Sequence, residues 1–503
     1  MGSAPLVIFG LDGADPDLIL GWAREGYLPT IASLLRAGAS ARLVGPEMIS
    51  VHGVWTSFFS GVSLSQHGFY MRRPLKPGTY RLETIGPCDL DAPPFWSALR
   101  GRGKELLIVD VPETRPQSGL SGFQLANWGN HPSGDPPASL PEGLLEEIHQ
   151  LIGPPIKSDE SQGGRWKDQR VLPRILRRVE NKGALCRHLL AKRPFDLVVV
   201  VFGDSHAAGH RFRKYMAPTG SASATGGKLA QAVREIYQAI DRQIGLLLRQ
   251  FPTPPNVFVV SNSGIHDGYP VGEVMDDFCR QLGYKTPIEA TTSSQKVAAL
   301  YRRAAASSWC SSLSRALPQP CRLHLEAERF VNGTDWSRTT AFAIPALYTG
   351  YLRVNLKGRE PCGIVEAGSE YESLLDRLEE DLKRLVDQET AKPVIERITR
   401  TGKLFDGGPP HRLPDLVVDW GRCLRVPQRI VHPHAVLVRM KIGDPRGNYH
   451  SRTGLVIAAG PAIQQRGPIV DLSAVDFAPL FWSLLGQPMH DGEGGKAQAA
   501  FTG

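Results

Sequence analysis

The chain has 503 residues, 42% hydrophobic and 21% charged, which is enough apolar material for a sizeable core and unlike a disordered or fibrous polymer. The net charge of +8 favours anionic ligands. However, Lys and Arg are scattered apart from pairs such as Arg177-Arg178 and Arg302-Arg303, and no zinc-finger or basic-helix pattern marks nucleic acid as a partner.

From the N-terminus, Met1-Gly-Ser-Ala-Pro5 leads into an apolar run, Leu6 to Leu11, too short to span a bilayer and without a basic leader or cleavage site. Seven cysteines occur singly, with no C-x-x-C pair, as suits reduced thiols. The expectation is a cytoplasmic protein with no membrane partner. Short apolar runs at 6–11, 105–111, 196–203, 256–260, 415–420 and 454–460 read as buried strands. Amphipathic segments at Pro29 to Ala37, Leu229 to Gln250 and Glu370 to Asp387 read as helices between them. This alternation predicts an α/β fold, a mostly parallel sheet flanked by helices. The expectation is one domain over 1–503, with inserted cap segments at about 112–175 and about 286–334, where Pro, Gly, Ser or Ala tracts break the rhythm.

In open parallel sheets, functional groups collect beyond the carboxyl ends of the strands. Asp12, in Gly10-Leu-Asp-Gly-Ala-Asp15, follows the first strand and is either a hard-cation ligand or the cap of the next helix. Ser50 precedes a segment, Gly53 to Ser60, that reads as a helix ending at Gly61. A hydroxyl there faces unpaired amides and the positive end of the helix dipole, which suits a nucleophile and a phosphate as well as simple capping. His52 and His67 are read as structural. After the strand at 196–203 comes Asp204-Ser-His206-Ala-Ala-Gly-His210, two imidazoles on one helical face that can chelate a Zn²⁺-like ion or serve in the core. His450, in Gly447-Asn-Tyr-His450-Ser-Arg-Thr-Gly454 before the last strand, is the candidate third ligand.

These segments together resemble type I phosphodiesterases and nucleotide pyrophosphatases of the alkaline phosphatase superfamily. The likeness rests on Asp12, Leu28-Pro29 and Gly38, on Trp55 to Gly61 with His67-Gly68, and on His206 to His210. It continues through Asp335 to Thr339, Val354 to Val365, Glu370-Tyr371, Pro414-Asp415 and His450 to Pro461. The resemblance implies an alkaline-phosphatase-like core in which a Ser or Thr nucleophile and two divalent metals cleave phosphate esters, the metals stabilising the attacking and leaving oxygens. By position, His206, His210 and His450 would hold the first metal, His206 standing where many relatives have Asp. Asp12 and Ser50 would belong to the second.

The departure follows the strand at 256–260, where relatives carry Ser-Asp-His-Gly and this chain has Ser261-Asn262-Ser263-Gly264. An amide and a hydroxyl are poorer Zn²⁺ donors than a carboxylate and an imidazole, so Asn262, Ser263 and the nearby His266 are read as remnants of a second site. Ser50 as nucleophile requires a one-residue shift, since the commonest family spacing from Trp55 falls on Val51. Sulfate esters are disfavoured because no Cys-x-Pro-x-Arg pattern occurs. The expected activity is metal-dependent phosphate-ester hydrolysis or transfer on a small anionic substrate, with zinc or manganese as the ion. The alternatives are a degenerate non-hydrolytic homologue or a single-metal enzyme with an altered substrate.

Overall fold

In the computed structural model the described residues are 4–86, 89–129, 135–156, 164–216, 227–268, 271–288, 327–328, 330–346, 348–405, 408, 410–421, 427–438, 447–487 and 495–502. They fall into two compact units. One comprises residues up to 71, 86–266 and 450 onward, and the other comprises 72–85 and 267–449. Most of the expected insertion at about 286–334 lies outside the described residues. The segment at about 112–175 contributes two strands, the helix Leu144–Ile152 and the start of the helix Arg165–Leu190 to the first unit.

The first unit is built on a nine-stranded sheet. Its strands include β1 (Leu6–Leu11), β2 (Ala39–Leu43), β3 (Glu105–Val109), β4 (Ser121–Ala126), β5 (Ala138–Leu140), β6 (Leu197–Phe202) and β7 (Asn256–Ser261), with Gly454–Ala459 and Gly467–Pro468. At its centre β1 pairs in parallel with β6 and β7, and β3 pairs in parallel with β6 and β4. Gly454–Ala459 runs antiparallel between β7 and β2. The fold is therefore the mixed α/β arrangement expected, with a large, mostly parallel sheet.

These strands read as continuous apolar runs because both faces are covered. Val7, Phe9 and Leu11 of β1 join Val198, Val200 and Phe202 of β6 in one core. That core is closed by helices α1 (Pro16–Arg24), α2 (Pro29–Ala37), α5 (Leu144–Ile152), α6 (Arg165–Leu190), α7 (Asp204–Phe212) and α8 (Ala232–Leu248), while the short α4 (Leu64–His67) lies outside it. Leu6, Ile8, Leu197, Val199 and Val201 face the opposite core, packed with Trp55, Phe58 and Phe59 of α3 (Gly53–Ser60) and with Phe477 and Phe481. Helix α3 ends at Gly61, whose φ of 75° is the left-handed cap expected from the sequence.

The second unit has its own core, over a four-stranded antiparallel sheet ordered Ile395–Arg400, Leu416–Trp420, Gly350–Val354, Ala341–Ile344, with the helix Ser369–Lys383. The apolar run at 415–420 thus forms a strand of this sheet, since its pairing partners lie at 350–354 and 395–400. The residues here that carried the family resemblance form a buried polar lattice. Asn355 donates to the Thr339 and Trp336 carbonyls, both at 2.9 Å, and accepts from the Tyr80 hydroxyl at 2.6 Å. Asp415 accepts two bonds from Arg359 at 2.8 and 2.7 Å, one from the Tyr371 hydroxyl at 2.7 Å and one from Val354 N at 2.7 Å. Among the described residues, no helix is long and apolar enough to cross a membrane.

Burial alone would raise the Asp415 carboxyl, but the Arg359 charge and the bonds it accepts hold it below the ordinary carboxylate range. A carboxyl that binds its proton more weakly when folded stabilises the fold above its unfolded value, about 3.9, and loses that contribution as pH falls through the folded value. The stability of the protein in urea is expected to carry this contribution at neutral pH and to shed it below about pH 4. In Asp415→Asn that acid-linked loss should shrink, while neutral-pH stability drops by about 1–3 kcal/mol, since the buried Arg359 loses one of its two carboxylates and keeps Glu360 at 2.9 Å.

Candidate metal centre

Parallel pairing with Leu11 opposite Phe202 and Gly10 opposite Val260 brings the ends of β1, β6 and β7 level. The residues that follow them emerge on one edge of the sheet. Gly454–Ala459 runs the other way beside β7, with Leu455 opposite Ser261, so the chain enters it from that same edge and His450 lies there too.

After β6 the chain turns at once into α7, and the four-residue spacing places His206 and His210 on one face. Both are buried, and His450 is half-buried. The Nε2 atom of His450 lies 3.2 Å from Nε2 of His206 and 3.1 Å from Nε2 of His210. Two nitrogens bound at about 2.0–2.1 Å to a tetrahedral ion are separated by roughly 3.3 Å, so this spacing fits a metal. It is hard to explain by hydrogen bonding alone, because a neutral imidazole carries one N–H and one acceptor, and here one Nε2 faces two others. Among the described residues, this is the one group of three or more His, Cys, Asp or Glu side chains close enough to hold an ion.

Charge pairs on α6 anchor the helix that supplies two of the histidines. Arg178 meets Asp204 at 2.5 Å at the start of α7, and Asp168 meets Arg211 at 2.8 Å near its end, with all four side chains almost fully buried. Asp168 also takes Lys214 at 2.9 Å and the Tyr215 hydroxyl at 2.8 Å. One α6 turn further on, Lys182 pairs with Asp110 at 2.8 Å and donates to the Val201 carbonyl of β6 at 2.7 Å. None of these partners was singled out from the sequence, where an isolated Asp or Lys gives no sign of what it meets more than twenty residues away.

Asp12 is buried at the tip of β1, and Trp55 Nε1 donates to its Oδ1 at 2.8 Å. It is not the cap of α1. That role belongs to Asp15, which accepts from Asp17 N and Leu18 N. The turn through Gly13, with φ of 60°, presses on His206: a Cβ at this position would sit 2.9 Å from the His206 ring. Asp12 and the histidine cluster are therefore neighbours across that turn, bound further by Ser205 Oγ donating to the Asp12 carbonyl at 2.7 Å.

Ser50 sits two residues before His52, the residue that caps α3. It is 1% exposed, its hydroxyl donates to the Tyr70 carbonyl at 2.5 Å, and it accepts from His52 N at 3.3 Å. His67 is buried and hydrogen-bonded on both ring nitrogens. Its Nδ1 accepts from Phe69 N at 3.0 Å, which leaves the proton on Nε2 to reach Ser57 Oγ at 3.0 Å.

The Asn262-Ser263 segment does not fit a second Zn²⁺-like ion. The Asn262 amide oxygen accepts from Gly13 N at 2.9 Å, and Ser263 Oγ lies 3.2 Å from Nδ1 of His450. Neither an imidazole nor a carboxylate stands at these two positions. His266 lies on the short strand Ile265–Asp267 and is partly exposed, outside the cluster of three.

A model of the type I phosphodiesterase/nucleotide pyrophosphatase family matches residues 6–418, so His450 falls beyond the matched stretch. Among solved structures, the chain is similar to phosphonoacetate hydrolase from Sinorhizobium meliloti 1021 in complex with phosphonoformate, at 12% identity, a TM-score of 0.54 and 96% coverage of both chains. It is also similar to an inactive form of murine ectonucleotide pyrophosphatase/phosphodiesterase 5 in complex with AMP, at 10% identity, a TM-score of 0.52 and coverage of 99% of this chain and 100% of that one. No curated protein sequence matches. At such identities the two likenesses establish the fold, and the family model adds the family. The chain thus belongs to the type I phosphodiesterase/nucleotide pyrophosphatase family, a family of phosphoric ester hydrolases.

Proposed function

We propose that this protein hydrolyses, or transfers the phosphoryl group of, a small phosphate mono- or diester. In this reading one divalent ion is held by His206, His210 and His450, and Ser50 is the attacking group. The observation that carries it is the approach of His450 Nε2 to 3.2 Å from His206 Nε2 and 3.1 Å from His210 Nε2, beside Asp12, at the edge where such sheets gather their chemistry. Three nitrogen donors suit Zn²⁺ better than Mn²⁺, which favours oxygen. When bound, the ion would neutralise phosphoryl oxygens.

For the protein's own groups, the Tyr70 carbonyl already accepts the Ser50 proton and aligns the hydroxyl. The Trp55 indole fixes the Asp12 carboxylate, leaving a negative charge near the cluster that favours a cation there. Attack by Ser50 Oγ forms its bond to phosphorus as the bond to the leaving group breaks, the alcohol departing with the proton that Ser50 loses; a monoester leaves phosphoserine and a diester leaves its seryl ester, which water then hydrolyses. The scattered positive charge of the chain suits an anionic substrate. Free Cys186, Cys279 and Cys362 support a cytoplasmic setting.

A second reading is favoured by the burial of Ser50 and by the amide and hydroxyl at 262 and 263: a binding protein that keeps one metal and does not turn over. Elemental analysis separates the parts of the proposal. One metal per chain is expected, lost in His206→Ala, His210→Ala or His450→Ala. Activity on a chromogenic phosphodiester should vanish with a chelator and fall by about 10³-fold or more in Ser50→Ala. One metal retained with no turnover on mono- or diesters would establish the binding reading, and an unchanged metal content in His206→Ala would overturn both.

Gly13→Ala is expected to weaken Zn²⁺ uptake by pushing the His206 ring. Gly26→Ala, equally strained at φ of 82° but with open space around its Cβ, should leave uptake intact. Chelator competition on the two variants measures the difference.

A further inference from the structure

The loop Ser261 to Gly264, where the sequence leads one to expect donors to a second metal, is bonded at several points to the residues around His450. Gly264 N donates to Ser451 Oγ at 2.8 Å, and Ser451 N donates to the Gly264 carbonyl at 2.9 Å, a reciprocal pair that ties the loop to the residue after the histidine. Ser261 Oγ donates to the Ala14 carbonyl at 2.5 Å and lies 2.9 Å from the Ser263 carbonyl, tying the loop to the end of β1. A Cβ on Gly264 would fall 2.9 Å from Ser451 Oγ and 3.2 Å from Asp15 Cα, so a larger residue would push the Ser451 hydroxyl out of this contact. Ser263, fully buried at the centre of the loop, places its Oγ 3.2 Å from Nδ1 of His450.

A histidine that binds a metal through one nitrogen needs its proton on the other, and a partner for that proton fixes both the tautomer and the direction of the lone pair. We propose that Ser263 is a positioning residue for His450: it accepts the Nδ1–H, so that the Nε2 lone pair points toward His206 and His210. The residue that stands where the family resemblance implies a metal ligand serves here one bond further out, as the support of a ligand to the remaining ion. A serine at this position therefore reinforces the single centre, whereas a histidine would contest the same space with a second donor. The proposal rests on the three-histidine reading of the centre.

The test is a Zn²⁺ titration of the full-length protein against a chromogenic chelator, together with absorbance of the Co²⁺-loaded form, for wild type, Ser263→Ala, Ser263→Thr and His450→Ala. Ser263→Ala is expected to keep one ion per chain but to bind it about 10–100-fold more weakly, with an altered Co²⁺ spectrum. Ser263→Thr, which restores the hydroxyl, should return affinity to within a few-fold of wild type. Equal affinity and spectrum in Ser263→Ala and wild type would overturn the proposal while leaving the centre standing. Weak binding in Ser263→Ala that Ser263→Thr fails to restore would also overturn it, since the loss would then follow from repacking. A wild-type protein that takes up no Zn²⁺, or a His450→Ala variant that binds as well as wild type, would overturn the reading of the centre and this proposal with it.

Discussion

The site depends on one constraint, the level parallel pairing of β1 with β6 and β7. Because Leu11 faces Phe202 and Gly10 faces Val260, the three strands end together. A shift by one residue in any of them would exchange its two faces and send Val7 and Phe9, or Val198 and Val200, into the opposite core. Side chains 0–2% exposed on both faces oppose such a slip. The apolar packing of the sheet therefore also fixes where Asp12, His206 and Asn262 leave it. The antiparallel strand beside β7 adds His450 to the same edge by reversing direction there.

Apolar packing sets the height of α7 above the sheet but is indifferent to small rotations about the helix axis, and the aim of two imidazoles depends on that rotation. Buried charge pairs supply the missing specificity. Arg178 with Asp204 and Asp168 with Arg211 hold the two ends of α7 to α6. Pairs of this kind add little net stability against the desolvation of both ions, and losing one partner is costly. Their use beside a ligand-bearing helix is consistent with orientation being what the fold requires there.

The sequence alone made the sheet legible because strands covered on both faces are written as uninterrupted apolar runs, and the runs at 6–11, 196–203, 256–260 and 454–460 lie in the central sheet as read. The run at 415–420 is likewise a buried strand, but of the second unit's sheet, because an apolar run states burial and not which strands it pairs with. His206 and His210 were visible as a pair from helical spacing, and His450 from its place before a strand. For Asp12 the sequence permits both ligand and cap, and only the tertiary structure separates it from Asp15, the residue that caps α1. The role of Trp55 on Asp12 and of Ser263 on His450 could not be read, since each joins residues 43 and 187 positions apart. The stretch from Asn355, specific in sequence, proves to serve two sets of hydrogen bonds, Asn355 to the Trp336 and Thr339 carbonyls and Arg359 to Asp415.

His450 joins His206 and His210 from 244 and 240 positions further along the chain, with residues 267–449 of the second unit encoded in between. A ribosome adding about 5–20 residues per second needs on the order of 10–50 seconds to cover that distance. During this interval the nascent chain carries a two-histidine helix that can hold an ion only loosely, and residues 267–449 emerge before the third nitrogen does. If the three histidines hold an ion as proposed, tight capture waits until residue 450 has emerged, so ion loading follows the synthesis of residues 267–449 and does not accompany the early folding of the first unit.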